Sequence, residues 1–383
     1  MSLRNGLDVL LADDARLERL RGSRVGLLVN PTSVTQRFVH AVDALRARDV
    51  NVVRLFGPEH GVRGEAQDME AVGEAFDPIT GIPTVSLYGH TYESLEPTPR
   101  DLDGIDLVLA DIQDIGARFY TYIYSIGLMM RACGNAGIGV WVLDRPNPIG
   151  GHKVEGNVVL DEYRSFVGMQ PMAVRHGMTT GEACEFFRRF CGWACDLEVV
   201  AVDGWRRGMW FDETGLPWVL PSPNMPTLDT ATVYPGQCLL EGTNVSEARG
   251  TTRPFELFGA PWVDAPALQR RMESFALPGC RGDAIDHGAR EAGVLLDPVA
   301  EQARSFIGGD GPERNVYDRP LRRHRGTCCF ERRGHASALR VQLDAALENR
   351  NGIASGTSID PARCGREERR LRDRDLVAEY LRQ

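Results

Sequence analysis

The sequence contains few of the signals that mark membrane, secreted or metal-binding proteins. Its 383 residues include no run of eighteen apolar residues, so hydropathy predicts no membrane-spanning helix. The N-terminal stretch has an apolar patch interrupted by Asp13 and Asp14, and it lacks the basic start and small-residue cleavage site of a secretory signal. The nine cysteines are scattered, and Cys184, Cys191 and Cys195 have no histidine partners at zinc-binding spacing. We therefore expect a cytoplasmic protein with reduced thiols.

Lysine is almost absent, and cofactor-binding motifs are absent. Lys153 is the single lysine among 44 basic residues, and the formal net charge of −9 disfavours nucleic acid as a partner. The first apolar stretch continues as "LLVNPTSV" rather than a G-x-G-x-x-G loop, and no phosphate-loop motif is present. We therefore predict no nucleotide and no other cofactor. The length exceeds that of one ordinary core and predicts two domains.

Short apolar runs alternate with helically spaced segments over the first two hundred residues. The pattern predicts strands at 24–30, 51–57, 83–89, 105–114, 138–145 and 195–202, and helices at 38–50, 122–137 and 179–192. Continuous apolar strands separated by helices favour a mostly parallel sheet that is covered on both faces, the doubly wound α/β class. The proline-rich segment 203–262 has few helical periods and predicts long ordered loops.

Polar residues follow five of the predicted strands. Because ligands of open parallel sheets bind outside the carboxyl ends of the strands, we expect these side chains to share one site. They are Asn30, the pair Glu59 and His60, His90 after Tyr88, Asp111 with Asp114, and Asp144 with Arg145. His176 precedes a predicted helix, and we expect it to have a structural role in the turn there.

Two kinds of chemistry remain open for this site. Glu59, with Glu65 or Glu155, would supply the carboxylate pair that glycoside cleavage needs, one as acid and one as base or nucleophile. The alternative for Glu59 is a structural role, either as a helix cap or in an ion pair with Arg63. The competing hypothesis is a metal site built from His60, Asp111 and Asp144, although no H-x-H or H-E-x-x-H spacing supports it.

A second polar cluster lies in "EGTNVSEARGTTRPFE", which runs from Glu241 to Glu256. Amides and hydroxyls such as those of Asn244 and Thr252 bind sugar hydroxyls, and arginine grips carboxylates bidentately. The alternative is a solvated loop. The mixture therefore favours a sugar site without establishing one.

Several long strings resemble one known family. "LFGPEHGVRGEAQDME", "DIQDIGARFYTYIYSIGLMM", "VLDRPNPIGG" and "PSPNMPTLDTATVYPGQCLLEGTNVSEARGTTRPFELFGAPW" are similar to the exo-β-N-acetylmuramidases, a family first defined as a domain of unknown function. The resemblance covers about residues 5–280. It implies a Rossmann-like domain and a smaller C-terminal α/β domain with the site in the cleft between them, and we divide the chain at 1–255 and 256–383. It also implies a glycosidase that releases N-acetylmuramic acid from the non-reducing end of peptidoglycan fragments, for cell-wall recycling, with no obligatory metal.

On this resemblance Glu59 is the first catalytic carboxylate, and Glu65 and Glu155 are the candidates for the second. A muropeptide or amino-sugar disaccharide is the expected partner, with no membrane involved. The expected substrate-binding residues are Asn30, His60, Asp111, Arg118, Tyr120, Asp144, Arg145, Asn224, Glu241, Asn244, Glu247, Arg249, Thr252 and Arg253.

One arginine should bind the lactyl carboxylate that distinguishes muramic acid from N-acetylglucosamine. Arg145 has a structural alternative in an ion pair with Asp111 or Asp144, and Arg118 has one in bracing Asp114. We therefore rank Arg249 and Arg253 ahead of Arg118.

The chain departs from the family pattern after "LPGC" at 277–280. Strand patterns become scarce and arginine becomes dense, which we interpret as a shifted reading frame near residue 281 or a strongly diverged tail. The alternative function is therefore a catalytically inactive sugar-binding protein.

Overall fold

A computed structural model describes residues 3–63, 75–88, 91–275, 280–286 and 292–298. The chain divides into two compact units, and the boundary falls between Leu228 and Asp229. The boundary that the sequence suggested, at residue 255, lies inside the second unit. Glu65, His90 and most of the atypical tail lie outside the described residues, so the expectations about them stay predictions.

The first unit contains one large sheet and a separate hairpin. Its strands are β1 (Val25–Val29), β2 (Val52–Gly57), β3 (Ala75–Phe76), β4 (Pro83–Ser86), β5 (Leu107–Asp111), β6 (Gly139–Leu143), β7 (Glu155–Val158), β8 (Ala173–Arg175) and β9 (Leu197–Val200). The large sheet has the order β3-β4-β2-β1-β5-β6-β9, and β7 pairs with β8. All neighbours in the large sheet are parallel except β3, which runs antiparallel to β4 at the edge.

The six parallel strands follow the Rossmann order, in which the chain adds strands first on one side of β1 and then reverses to add strands on the other side. That reversal lies between β1 and β5, so the carboxyl ends of these two strands flank the crevice in which such sheets bind ligands. The predicted doubly wound α/β class is confirmed, and all six predicted strands are present.

The described residues of this unit form five α-helices: α1 (Gly6–Leu11), α2 (Asp14–Arg21), α3 (Ala41–Arg46), α4 (Tyr122–Ala136) and α5 (Thr180–Phe190). Residues of α1, α2 and α3 form one buried cluster with alternate sheet residues such as Leu27, Leu109 and Trp141. Residues of α4 and α5 form a second cluster around Tyr124 and Phe187. The alternation of side chains along each strand thus lets one sheet pack against two helical layers.

Local sequence explains where the predicted helices begin and end. Thr179 caps α5 in a capping box: its hydroxyl accepts the N–H of Glu182, and the Glu182 carboxylate accepts the N–H of Thr179. Helix α4 ends at Gly137, whose φ of +71° is the left-handed conformation typical of a helix C-terminus. The predicted helix bounds hold within a few residues at these ends.

The second unit contains α6 (Leu228–Gln237), α7 (Ala265–Glu273) and a three-stranded antiparallel sheet. The strands are β10 (Leu257–Gly259), β11 (Cys280–Asp286) and β12 (Ala292–Pro298), in the order β10-β12-β11. Helix α6 corrects the expectation that 203–262 consists of loops. Its Pro235 lies inside the helix, two residues before the end, where the missing N–H removes one i→i−4 hydrogen bond.

No helix in the described part of the chain is both long enough and apolar enough to cross a membrane.

Candidate active site

Glu59 lies at the carboxyl end of β2, in a tight turn. The N–H of Gly61 donates to the carbonyl of Pro58 at 2.9 Å, and both His60 and Gly61 have left-handed backbone, with φ of +73° and +79°. The turn leaves the Glu59 carboxylate half-buried and buries His60. The Thr121 hydroxyl donates to Glu59 Oε2 at 3.1 Å, which fixes this carboxylate beside the first turn of α4.

The helix-cap role considered for Glu59 does not match this geometry. No described helix uses Glu59 as its N-cap residue. Arg63 forms a two-point ion pair with the buried Asp77, at 3.1 and 3.2 Å. Glu59 therefore stays a candidate for chemistry.

Two buried tyrosines stand beside Glu59. The rings of Tyr120 and Tyr122 meet edge to face with centroids 5.1 Å apart, and the Tyr122 hydroxyl donates to the carbonyl of Pro221. Burial raises the pKa of Tyr122, and the Glu59 charge raises it further. Burial raises the pKa of Tyr120 well above its usual value, and Tyr122, Asp114 and Glu59 add to that rise. Both phenols are therefore protonated near neutral pH. The carboxylates of Glu59 and Asp114 both lie near Tyr120.

Asn30 ends β1 and adds an amide to the same region. Its side-chain oxygen accepts the N–H and the hydroxyl of Thr32, at 3.0 and 2.5 Å. Its amide nitrogen is buried and has no acceptor at hydrogen-bond geometry, although the amide is close enough to Tyr122 to oppose the rise in that phenol's pKa. Asn30 thus keeps a donor near Tyr122 and Glu59.

Asp114 lies three residues beyond β5 and is 4% exposed. Its Oδ2 accepts the N–H of Gly116 at 2.6 Å and lies 3.2 Å from Nε2 of the fully buried His176. The N–H of Met178 approaches His176 Nδ1 at 3.2 Å, so Nδ1 is an acceptor and the ring proton is on Nε2, where it is donated to Asp114. Asp114 Oδ1 is also buried, and it has no donor.

Asp111 and Arg145 have a structural role. The Arg145 guanidinium binds both oxygens of the buried Asp111, at 2.5 and 2.9 Å, and also donates to the carbonyl of Val34 at 3.1 Å. This ion pair joins the ends of β1, β5 and β6. The structural alternative proposed for Arg145 is therefore the one that the contacts support.

Asp144 is buried at the end of β6 and supports the start of α5. Its carboxylate accepts the hydroxyl of Thr179 at 3.0 Å and the N–H groups of Gly181 and Arg145, at 2.7 and 2.9 Å. Burial raises the pKa of Asp144 to about 6, against the lowering effect of these hydrogen bonds. With Asp111 and Asp144 so engaged, the structure does not bring them together with His60 as a metal-binding group, and no cluster of three potential ligands occurs in the described residues.

Arg118 differs from the other candidate arginines. It is 5% exposed, and its Nη1 donates to the carbonyls of Asn157 and Met172, at 2.5 and 2.8 Å. Its Nε is buried without an acceptor, and no carboxylate pairs with it among the described residues. Burial lowers the pKa of this guanidinium. The expected brace between Arg118 and Asp114 is not formed.

Glu155 lies on β7 and pairs with the buried Arg175 at 2.9 Å, so its carboxylate already has a cationic partner. Asn224 is half-buried in the turn that precedes α6.

The polar cluster of the second unit is internally paired. Arg249 binds Glu241 at 2.6 Å and Glu247 at 2.9 Å, and Arg253 binds the buried Glu256 at 2.7 Å. Asn244 and Thr252 are exposed. Both arginines that the sequence ranked first are thus neutralised by carboxylates of their own loop.

Sequence reasoning missed two parts of this site. Thr121 gave no signal beyond its place before a helix, and the partnership of Asp114 with His176 joins residues 62 positions apart. In the sequence, only the position of Asp114 at a strand end indicated that it belongs to the site.

The fold and the site define an α/β protein of Rossmann type, with acidic and phenolic groups at the carboxyl ends of its strands in place of a nucleotide loop. Such a site suits acid–base chemistry on a polar ligand. The protein-family model for the N-terminal domain of exo-β-N-acetylmuramidase NamZ matches residues 25–229, and the family model for the C-terminal domain matches residues 232–287. The chain belongs to this family, as its sequence strings indicated.

Individual relatives agree with this assignment. The chain is 48% identical over 278 residues to the peptidoglycan β-N-acetylmuramidase NamZ of Bacillus subtilis strain 168, a match that spans 72% of this chain and 66% of that protein. The crystal structure of a DUF1343 family protein from Bacteroides fragilis is similar with a TM-score of 0.71 and 38% identity, and covers 78% of each chain. A second one from the same organism has a TM-score of 0.62 and 28% identity, covering 80% of this chain and 79% of its own.

Proposed function

We propose that this protein is an exo-acting glycosidase that releases N-acetylmuramic acid from the non-reducing end of peptidoglycan fragments. The chain spans about two thirds of the length of its curated relative, whose name specifies a peptidoglycan β-N-acetylmuramidase. The observation that supports the chemistry is Glu59, a half-buried carboxylate held at a strand end among neutral hydroxyls.

Glu59 is the proton donor in this proposal. Cleavage needs an acid that protonates the leaving glycosidic oxygen as the bond to the anomeric carbon breaks. The Thr121 hydroxyl donates to Glu59 Oε2, and the buried phenols of Tyr120 and Tyr122 beside it stay protonated. The buried amide of Asn30 and the protonated Tyr120 supply donors for the hydroxyl and acetamido groups of the sugar.

Arg118 is the cation that binds the lactyl carboxylate in this proposal. An isolated buried cation is costly, and an anionic ligand offsets that cost. The other three candidate arginines already have carboxylate partners. The order expected from the sequence, with Arg249 and Arg253 ahead of Arg118, is therefore reversed in this proposal.

The substrate is a muropeptide or an amino-sugar disaccharide, and the setting is the cytoplasm. Free thiols are found at Cys133, Cys184, Cys191, Cys195 and Cys238. Burial raises the pKa of four of them to 11–12 and that of Cys184 well above its usual value. Unreactive, unpaired thiols are typical of a reducing compartment. Cell fractionation with an antibody to the native protein would test this location.

A chromogenic N-acetylmuramic acid glycoside tests the activity. We expect release of the chromophore by the purified protein, unchanged by a chelator, and loss of that release in Glu59→Gln. Binding of the sugar without cleavage would favour the inactive sugar-binding alternative. Activity that is abolished by the chelator and restored by a metal would contradict the proposed mechanism.

A further inference from the structure

Most glycosidases use a second carboxylate, and the described acidic residues at the strand ends differ in whether they keep an oxygen free to accept a proton. Both oxygens of Asp111 are bound by Arg145, and Asp144 accepts three donors. Asp114 alone among these three buried aspartates keeps a carboxylate oxygen without a donor, its Oδ1. A buried acceptor left unmatched costs about 1–3 kcal/mol, so its retention calls for an explanation.

The rest of Asp114 is held rigidly. Gly116 and His176 both donate to Oδ2, and Met178 fixes the His176 tautomer. Gly116 has φ of +84°, and an added Cβ would lie 2.4 Å from the Asn147 side chain, so only glycine fits there. The direction of the unmatched Oδ1 is therefore set by the fold and does not depend on a mobile side chain.

Asp114 and Glu59 belong to one region of the first unit. The charges of both raise the pKa of the Tyr120 phenol, and Thr121, the next residue, binds Glu59 directly. Tyr120 also packs edge to face on Tyr122, which lies near Glu59 and Asn30. Asp114 and Glu59 therefore both lie close enough to Tyr120 for their charges to act on its phenol.

We propose that Asp114 is the second carboxylate of the reaction and acts as its general base, with His176 as the residue that positions it. This role rests on the proposed glycosidase function. Water attacks the anomeric carbon and forms the new C–O bond while its proton passes to Asp114 Oδ1. The glycosidic C–O bond breaks, and the leaving oxygen takes the proton of Glu59. One proton is taken up and one is released, and no other reactant is needed.

Leaving-group dependence separates the two carboxylates. A 2,4-dinitrophenyl glycoside of N-acetylmuramic acid needs no acid assistance, whereas a phenyl glycoside does. We expect Glu59→Gln to lose roughly 10²–10⁴-fold on the phenyl glycoside and far less on the dinitrophenyl one, and Asp114→Asn to lose at least roughly 10²-fold on both. Asparagine keeps an oxygen for the two donors on Oδ2 and places NH₂ at the open position, so the fold is preserved and only the acceptor is lost.

Azide gives a second readout that a structural role would not produce. This anionic nucleophile needs no base, so it should restore turnover in Asp114→Asn and yield a glycosyl azide, with no such rescue in Glu59→Gln. His176→Phe should lower both rates as Asp114→Asn does, and His176→Gln, whose amide can still donate, should recover part of the loss. Asp106→Asn, at the opposite end of β5 in an exposed pair with Arg24, is the matched control and should match the wild type.

Asp114→Asn with near-wild-type rates, or with the leaving-group dependence of Glu59→Gln, would overturn this assignment. Loss on both glycosides without azide rescue, in a variant with an unchanged Tm, would also overturn the role as base. A wild-type protein that cleaves neither glycoside would refute the proposed function, and the role of Asp114 with it.

Discussion

Replacing Arg118 with methionine tests whether charge distinguishes muramic acid from N-acetylglucosamine in this site. The two sugars differ by a lactyl ether that bears a carboxylate. Arg118 presents a buried guanidinium whose Nη1 is used by two carbonyls and whose Nε is without an acceptor. Methionine keeps the length and the apolar packing of the side chain but removes the charge and its donors.

The expected magnitude follows from the loss of one charge-assisted hydrogen-bonded contact. Such contacts contribute about 1.5–3 kcal/mol, which corresponds to roughly ten- to a hundred-fold in kcat/KM. The loss should fall on N-acetylmuramic acid glycosides alone, because the N-acetylglucosamine analogue has no carboxylate at that position. Stability should also fall, since the carbonyls of Asn157 and Met172 lose their buried donor.

The assay is kcat/KM for both glycosides, with Tm measured for each variant. Arg24→Met, which removes an exposed arginine at the amino end of β1, is the control and should leave the ratio of the two values unchanged. Arg145→Met, which breaks the buried pair with Asp111, should lower stability and both activities together. If Arg118→Met lowers both activities equally, or leaves the ratio at the wild-type value, Arg118 does not bind the lactyl carboxylate.

Three further predictions concern single side chains. Glu59→Gln should lower turnover on unactivated substrates by roughly 10²–10⁴-fold with little change in Tm, and near-normal turnover would remove Glu59 from the mechanism. Thr121→Val removes the hydroxyl that donates to Glu59 Oε2, so kcat/KM should fall by roughly two- to ten-fold with little change in Tm, and unchanged kcat/KM would show that this hydrogen bond does not position Glu59 for the reaction. Burial raises the pKa of Asp144 to about 6. Between pH about 4 and about 6 the folded state therefore keeps a proton that the unfolded state has released. The free energy of unfolding falls as pH rises through this window and levels off above it. The free energy of unfolding of Asp144→Asn relative to wild type, from urea titration, should therefore rise by about 2 kcal/mol between pH 4.5 and 7.5, and a constant difference would show that Asp144 is not perturbed.

The sheet could be predicted from the sequence because it is built from short, continuous apolar strands. Segments such as "VGLLV" and "GVWVL" are buried on both faces, and the helices between them carry clear stop signals such as Gly137. The strands β3, β7 and β8 were not predicted, since they are short and only partly apolar. Helix α6 was missed because Pro235 suggested a loop, and only the three-dimensional context shows that the helix ends directly after it.

The site could be predicted only in part, because strand ends can be located from sequence but pairing partners cannot. Strand ends placed Asn30, Glu59 and Asp114 at one edge of the sheet. Which arginine is left without a carboxylate depends on contacts within each loop, and the sequence ranking put Arg249 and Arg253 first although Glu241, Glu247 and Glu256 already bind them.

The two carboxylates of the proposed mechanism have opposite surroundings, and this difference assigns their roles. Glu59 is half-buried and accepts the neutral hydroxyl of Thr121, so its carboxyl group is partly open to a bound substrate. Asp114 is buried and accepts a backbone N–H and an imidazole N–H on one oxygen, which fixes the position of its other oxygen. Tyr120 lies near both groups and stays protonated, so it adds no charge to the site. Acid–base catalysis requires one carboxyl group that can reach the leaving oxygen and a second one with a fixed acceptor oxygen, and the carboxyl ends of β2 and β5, on either side of β1, provide these two environments within one sheet.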